Sequence, residues 1–336
     1  MKKSDLAVFC CPACKKAISF STVSRVADKT GQELSDGEFV CNSCNHRYPV
    51  RDGIPRFVPD SNYADSFSFQ WKIFHRLLQG RNQKEGGRIR FDIASEWPVA
   101  LDGQNVLEVG CGSGLFTQIV IERGCQLYSF DLSDAVDVAV HNLASNPLRA
   151  NLHPFQANLY HIPLPEGMFD KVYCLGVLQH CPDVKKAFMS LLPFVKSGGE
   201  LVVDCYQRNP QRDWLNLKYI VRSCVWWMNK KQLYWFCKTT ISIGYEVKLF
   251  FSRIPVVGKH LADLIPIGAL HYEPEYVFTK AELKENKVLS MFDMLSPAYD
   301  KPQDLKTVEA WAYEAGLVIL SLTVGFNGIN MRCRRP

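Results

Sequence analysis

The sequence predicts an α/β fold in which a largely parallel sheet is flanked by helices, with a small metal-stabilised module in front and a helical cap inserted late. Three observations predict it. Residues 106–114 read Val-Leu-Glu-Val-Gly-Cys-Gly-Ser-Gly, an apolar run that stops at alternating glycines and is followed by apolar residues at helical spacing. Further apolar stretches at 127–130, 169–174 and 200–204 read as buried strands. Two Cys-x2-Cys knuckles stand near the start of the chain.

Cys11-Pro-Ala-Cys14 and Cys41-Asn-Ser-Cys44 are separated by enough chain for a hairpin. Four thiolates at this spacing fill all corners of a tetrahedron, so the expected metal is a structural Zn²⁺ with no open position for catalysis. Cys10 adjoins Cys11 and is expected to point elsewhere, and His46 is near but is not needed as a ligand. Disulfide pairing is the competing reading, but the other nine of thirteen cysteines show no paired spacing. The opening Met-Lys-Lys-Ser-Asp-Leu-Ala-Val has an apolar segment too short for export, which predicts a reducing, cytoplasmic setting. Asp52-Gly53 is a turn pair, and Ile54 and Phe57 add apolar weight to a module of residues 1–60 that is too small to fold without metal.

Residues 61–98 carry Phe67, Trp71 and Phe74 at i, i+4 and i+7. This is a helix that serves as a lid over a pocket, a buried stripe, or both. A break is expected at Gly86-Gly87. Arg88 and Arg90 follow it, either as partners for a ligand carboxylate or as solvated surface.

The glycine turn lets a ligand lie against bare backbone, and such turns hold dinucleotides or S-adenosylmethionine. A dinucleotide turn would want glycine at position 115, where Leu115 stands. About twenty residues on, an apolar stretch ends in Asp131, an acid placed to accept from ribose hydroxyls, or else a helix cap. Asn158 follows the next apolar stretch and reads as an adenine contact or a turn residue. The strand 169–174 opens into a loop ending at His180, then a helix carries Ala187, Phe188, Leu191 and Leu192, and Lys196-Ser-Gly-Gly199 precedes the strand 200–204.

Over about residues 100–206 this succession resembles the class I S-adenosylmethionine-dependent methyltransferases. The resemblance implies a Rossmann-like seven-stranded sheet with a core at 99–206 that resumes at 301–336. It also implies roles. Glu108, Gly110, Gly112 and Gly114 border the methionine end of the cofactor; Asp131 holds the ribose; Leu132, Asn158 and Leu159 contact the adenine. The family more often has Asp where this chain has Asn158, but an amide oxygen can still accept from the adenine amino group. Residues 8–58 are similar to the zinc ribbon of the small activator subunit of certain tRNA and protein methyltransferases, which many bacterial methyltransferases carry fused at their front end.

Residues 207–300 read as an insertion of two or three amphipathic helices. Between 208 and 275, ten Lys or Arg face five Asp or Glu, an excess equal to the whole chain's formal +5, and aromatic residues interleave with them. The segment reads as a cap over a small-molecule or saccharide acceptor, as a peripheral contact with the inner face of a membrane, or as a nucleic-acid contact. No apolar run approaches the ~18 residues of a transmembrane span. Nucleic acid is disfavoured. The loop after the fourth strand lacks an (Asp/Asn/Ser)-Pro-Pro-(Tyr/Phe) sequence, and Cys181-Pro182 reverses the order that pyrimidine methylation uses.

The remaining chain predicts a helix near 304–315 stopped by Gly316, a strand at 317–324, a turn at 325–328 and a short last strand at 329–333. His180 is the first candidate for a general base. Tyr206, His271, Tyr272 and Tyr299 follow, the last within an Asp-x-x-x-Pro-x-Tyr stretch at 293–299. The expected activity is methyl transfer to a hydroxyl or amine of a small metabolite, sugar or lipid-linked saccharide. The alternatives are RNA methylation and a non-catalytic scaffold.

Overall fold

The computed structural model describes residues 1–336 other than 27–33, 60–61, 79, 209–216, 255–257, 259–264, 266–278 and 326. The front of the chain forms a four-stranded antiparallel sheet in chain order: β1 (Ile18–Val26), β2 (Leu34–Cys41), β3 (Arg47–Arg51) and β4 (Ile54–Pro55). Asp52 and Gly53, both at positive φ (50° and 74°), make the tight turn between β3 and β4. Phe9, Phe39, Tyr48 and Phe57 fill the apolar side, with ring centroids of Phe9 and Tyr48 each within 5.3 Å of Phe57.

This module is built onto the larger sheet. Just past β4, the Phe57 N–H donates to the carbonyl of Gln156, the last residue of β7 (Leu152–Gln156), and Cys10 N–H donates to Pro163 O at 2.9 Å. Phe9 packs edge-on against Phe155, with centroids 5.4 Å apart. The buried Arg56 guanidinium pairs with Asp137 at 2.5 Å. One apolar cluster therefore runs from the module into the large sheet.

The large sheet has seven strands in the order β10-β11-β9-β8-β5-β6-β7. These are β5 (Asn105–Val109), β6 (Gln126–Asp131), β7, β8 (Phe169–Cys174), β9 (Val195–Cys205), β10 (Val318–Gly325) and β11 (Gly328–Arg334). Strands β5 to β9 are parallel, while β11 runs antiparallel to both β9 and β10. Side chains alternate between two buried faces, as the strand period requires. Val106, Leu127, Tyr173 and Val202 meet Phe91, Trp97 and Ile119 on one face. Leu107, Phe155, Val172 and Leu201 join Phe188 and Trp311 on the other.

Helices α1 (Asp65–Leu78) and α2 (Arg81–Ser95) precede the sheet. The predicted break at Gly86-Gly87 is absent, because both glycines lie inside α2 and the chain turns at Gly80 instead. The use of Gly87 is a close approach: a Cβ there would lie 2.9 Å from Leu115 Cδ2. Helices α3 (Leu115–Ile121), α4 (Ala135–Asn142) and α5 (Val184–Met189) connect the parallel strands. The helix expected to carry Leu191 and Leu192 ends earlier, at Met189, and a short 3-10 turn over Leu192–Phe194 with Pro193 in its first turn follows.

The insertion holds α6 (Leu217–Val225), α7 (Lys230–Ser252) and α8 (Lys280–Leu295). Asn229 with Gln232, and Thr279 with Glu282, form reciprocal capping boxes at the starts of α7 and α8. These helices and α1 enclose Phe74, Leu233, Cys237, Ile241, Val288 and Phe292. Helix α9 (Leu305–Glu314) leads into the final hairpin. His271 and Tyr272 lie outside the described residues. Among those described, no helix is long and apolar enough to cross a membrane.

Candidate active site

A cavity of about 310 Å³ opens beyond the ends of β5, β6 and β8, where the strand order reverses. Its floor is the glycine turn. Gly110, Gly112 and Gly114 have φ of 81°, 52° and 87°, which side chains disfavour. A Cβ at Gly110 would collide with Val177, and one at Gly112 would sit 3.2 Å from the Trp71 ring. Gly110 and Cys111 donate their N–H groups to Phe130 O, at 2.8 and 3.0 Å, which ties the turn to β6.

Asp131 ends β6 and faces this cavity. Gly112 N–H donates to its Oδ2 at 3.0 Å, and the Ser133 N–H and hydroxyl donate to Oδ1 at 2.8 and 2.7 Å. Burial pushes the carboxyl's pKa upward, and these three donors hold it down in part. Phe130, Leu132, Ala157 and Leu159 form the neighbouring apolar wall.

Three residues implied by the resemblance are not in the wall of this cavity. Glu108 lies buried beneath the floor, where Thr117 and Ser129 hydroxyls each donate to Oε2 at 2.6 Å. Its burial raises the carboxyl to about 7. Gly114 caps α3 and packs against Ala139. Asn158 begins a short 3-10 turn, its Oδ1 accepting from Tyr160 N at 3.0 Å.

The opposite end of the cavity is aromatic. Tyr63, Phe67 and Trp71 contribute from α1 and its approach, His180 from the loop after β8, and Tyr206 from the end of β9. In the helix 67–74, Phe74 is buried in the cap cluster, Phe67 lines the cavity, and Trp71 does both. The His180 ring lies 5.1 Å from Phe67 and 5.5 Å from Tyr206 between centroids. His180 Nδ1 is 3.0 Å from the Tyr299 carbonyl, which can only accept, so Nδ1 carries hydrogen. Tyr299 contributes that carbonyl while its ring packs on Tyr63.

Tyr206 donates to Asp293 Oδ2 at 3.5 Å, and Gln70 Nε2 to Oδ1 at 2.9 Å. Burial and the Asp293 carboxylate push the Tyr206 hydroxyl far above its usual range, so it remains a donor. Asp293 reaches the cavity from α8 as its second carboxylate. Arg90 also lines the cavity, with Nη2 held 2.6 Å from the fully buried Asp204. Asp204 further accepts from Asn327 Nδ2 at 3.3 Å and from Gly176 N–H. Arg88 pairs instead with Glu122 at 3.3 Å. Sequence reasoning missed Gln70, Asp204 and Asn327; an acid at the end of strand 200–204 was the one available signal.

In the front module the sulfurs of Cys11, Cys14, Cys41 and Cys44 all lie within 4.8 Å of one another. Cys11 and Cys44 are 3.6 Å apart, and Cys14 and Cys41 3.4 Å. A tetrahedron with metal–sulfur bonds of about 2.3 Å has edges of about 3.8 Å, so the cluster is a metal-binding arrangement of the right size. Ser43 and Cys44 donate N–H groups to Cys41 Sγ at 3.4 and 3.5 Å. Cys10 is outside the cluster, and His46 Nδ1 touches Cys44 Sγ at 3.2 Å as an outer neighbour.

Residues 107–203 match the model of a methyltransferase domain, and residues 6–53 that of a Trm112p-like protein. The chain carries a class I S-adenosylmethionine methyltransferase domain behind a Trm112p-like module. It is similar to the ubiquinone biosynthesis O-methyltransferase of Stutzerimonas stutzeri, 31% identical over 114 residues, which are 34% of this chain and 49% of that protein. The chain thus spans about half the length of that relative. Among solved structures it is similar to an S-adenosylmethionine-dependent methyltransferase from Methanococcus maripaludis (14% identity, 83% and 96% of the two chains, TM-score 0.44). It is also similar to a complex between the Haloferax volcanii Trm112 methyltransferase activator and a methyltransferase (11% identity, 83% and 99%, TM-score 0.43). In the methyltransferase domain of this chain, the glycine turn, Asp131 and His180 share one cavity.

Proposed function

We propose that this chain transfers a methyl group from S-adenosylmethionine to a hydroxyl or amine of a small metabolite, sugar or lipid-linked saccharide. The observation that carries the reading is the Asp131 carboxylate fixed over a turn in which Gly110 has no room for a β-carbon and Gly112 only a tight one. That cradle fits a nucleoside with a charged tail. Asp131 would hold the ribose hydroxyls, Leu132 and Leu159 the adenine faces, and the turn from Gly110 to Gly114 the methionine end. Asn158 would set the turn that presents Leu159 to the adenine, and Glu108 would support the glycine turn from below. The bound cofactor supplies an electrophilic methyl group.

The chain's own task is to align a lone pair about 3 Å from that methyl, exclude water and take a proton. The aromatic wall excludes water. In its neutral form His180, held through Nδ1, would receive the proton at Nε2. Tyr206 and Asp293 would orient the acceptor's polar groups, and Tyr299 fixes the His180 tautomer through its carbonyl. The four cysteines would hold Zn²⁺ in a closed, structural site. RNA methylation is less well supported, because the apolar side of the ribbon faces the large sheet and several cap bases are already engaged. Lys218 pairs with Asp300 at 2.5 Å, and Arg222 donates to the Met294 carbonyl at 3.2 Å.

The test is incubation with methyl-labelled S-adenosylmethionine and separated cell fractions. Label is expected in the small-molecule or lipid fraction, and it should vanish with Asp131→Ala. Label confined to RNA would overturn the acceptor class, and label in no fraction would favour a non-catalytic scaffold.

A further inference from the structure

The cap has a second surface, on the side of α7 away from its packed face. Leu233, Cys237, Ile241 and Tyr245 are buried at helical spacing against α8 and α1. On the other side Trp235, Ile243 and Phe250 are 59%, 61% and 64% exposed. At 100° per residue these three fall within about 80° of one another round the helix, in a stripe about 22 Å long. Trp226 and Trp227, 81% and 62% exposed, stand at the α6–α7 junction, at one end of the stripe. Single exposed apolar residues are ordinary, but three tryptophans, an isoleucine and a phenylalanine collected on one element are not.

The charge around the stripe is mostly basic. Residues 217–254 contain seven Lys or Arg and the single acid Glu246. Lys280 and Lys284, from α8, hold Glu246 at 2.9 and 2.6 Å. Lys231, Lys238 and Arg253 are exposed beside the stripe, and among the described residues none of them has an acidic partner. Lys238 lies over the Trp235 ring, 4.8 Å from its centroid.

We infer that this face of the cap docks on an anionic lipid bilayer. Tryptophan is suited to the headgroup zone, where one end of the ring is apolar and the N–H stays wet. Lysine and arginine beside it reach lipid phosphate while their methylene stems lie along the apolar layer. A protein partner with an apolar face would bury the tryptophans but would have no need of a predominantly basic rim. The surface is connected to the site, since α7 packs on α8 and α8 supplies Asp293 to the cavity wall. A cap resting on a bilayer would offer the cavity to acceptors that are themselves held there. The docking does not depend on methyl transfer and can be measured without it.

The experiment is co-sedimentation of the full chain with vesicles of phosphatidylcholine alone and of phosphatidylcholine mixed with phosphatidylglycerol, at low and high salt. Binding is expected to the mixed vesicles, weakened by salt and roughly tenfold or more weaker to the neutral ones. A Trp226→Ser, Trp227→Ser, Trp235→Ser variant and a separate Lys231→Glu, Lys238→Glu variant should each lose most of it. Unchanged circular dichroism and melting would show that both still fold. Because the changes are on exposed positions of two different chemistries, a folding failure in one leaves the other as the test. Three results would overturn the inference: a wild type that stays in solution with both vesicles, equal binding to neutral and anionic vesicles, or binding that survives both variants. A dimer abolished by the tryptophan changes, without vesicle binding, would assign the face to a second copy instead.

Discussion

Phe57 donates its backbone N–H to the carbonyl oxygen of Gln156 at 2.8 Å, and with this bond the four-cysteine module meets the outer edge of the large sheet at the end of β7. Arg56 and Gln156 form a parallel bridge at the same point, and Arg56 reaches on to Asp137. β7 is the terminal strand, so without this cover its unpaired N–H and C=O groups would face solvent. The contacts predict that loss of metal from the module would weaken the large sheet.

The first prediction follows from that coupling. Cys41→Ser should abolish bound zinc, measured by metal analysis, and unfold the ribbon. The sheet loses Phe9 and Phe57 from its apolar cluster, so the melting temperature of the rest should fall by about 10 °C. A variant that loses zinc yet melts like the wild type would mean that the two parts are energetically separate.

Glu108 predicts a pH dependence. Its folded-state carboxyl titrates near 7, against an ordinary value of 4.5, because burial outweighs the Ser129 and Thr117 bonds. Between these values the folded protein holds a proton that the unfolded chain has released. Stability is therefore full below the unfolded value and declines as pH rises toward 7, by an amount on the order of 3 kcal/mol. Glu108→Gln keeps an acceptor for both hydroxyls and has no charge to lose. Urea unfolding between pH 5 and 8 should show the decline in the wild type and a flatter profile in the variant; parallel profiles would refute the assignment.

Much of the site was legible where a local rule forces the residue type. Positive φ and a missing β-carbon explain why Gly110 and Gly112 stand out, and ligand spacing explains the cysteine knuckles. Asp131 was legible because it ends a strand at a fixed distance from the turn. What stayed hidden depends on long-range contact. Asp204 matters because Arg90, 114 residues earlier, pairs with it, and Gln70 because α8 brings Asp293 to it from 223 residues away. Gly86-Gly87 looked like a break, since a sequence does not show that Leu115 will press against a helix at that point. The ribbon's union with β7 was invisible for the same reason, as residues 57 and 156 have no local signal in common.

His180→Ala separates binding from chemistry. His180 lines the cavity and its Nδ1 is committed to Tyr299 O. Turnover with a saturating acceptor should fall by roughly 10²–10⁴-fold while affinity for S-adenosylmethionine changes little. Equal losses of turnover and cofactor affinity would show that the histidine only orders the loop.

The most direct measurement is calorimetric titration of the purified chain with S-adenosylmethionine and with its demethylated product. The account predicts one site per chain in the wild type and an affinity at least about tenfold weaker in Asp131→Ala, consistent with loss of a charge-assisted bond, with native circular dichroism of the unliganded protein. Binding to Asp131→Ala as tight as to the wild type, or no heat from either ligand with the wild type, would contradict the placement of the cofactor over the glycine turn.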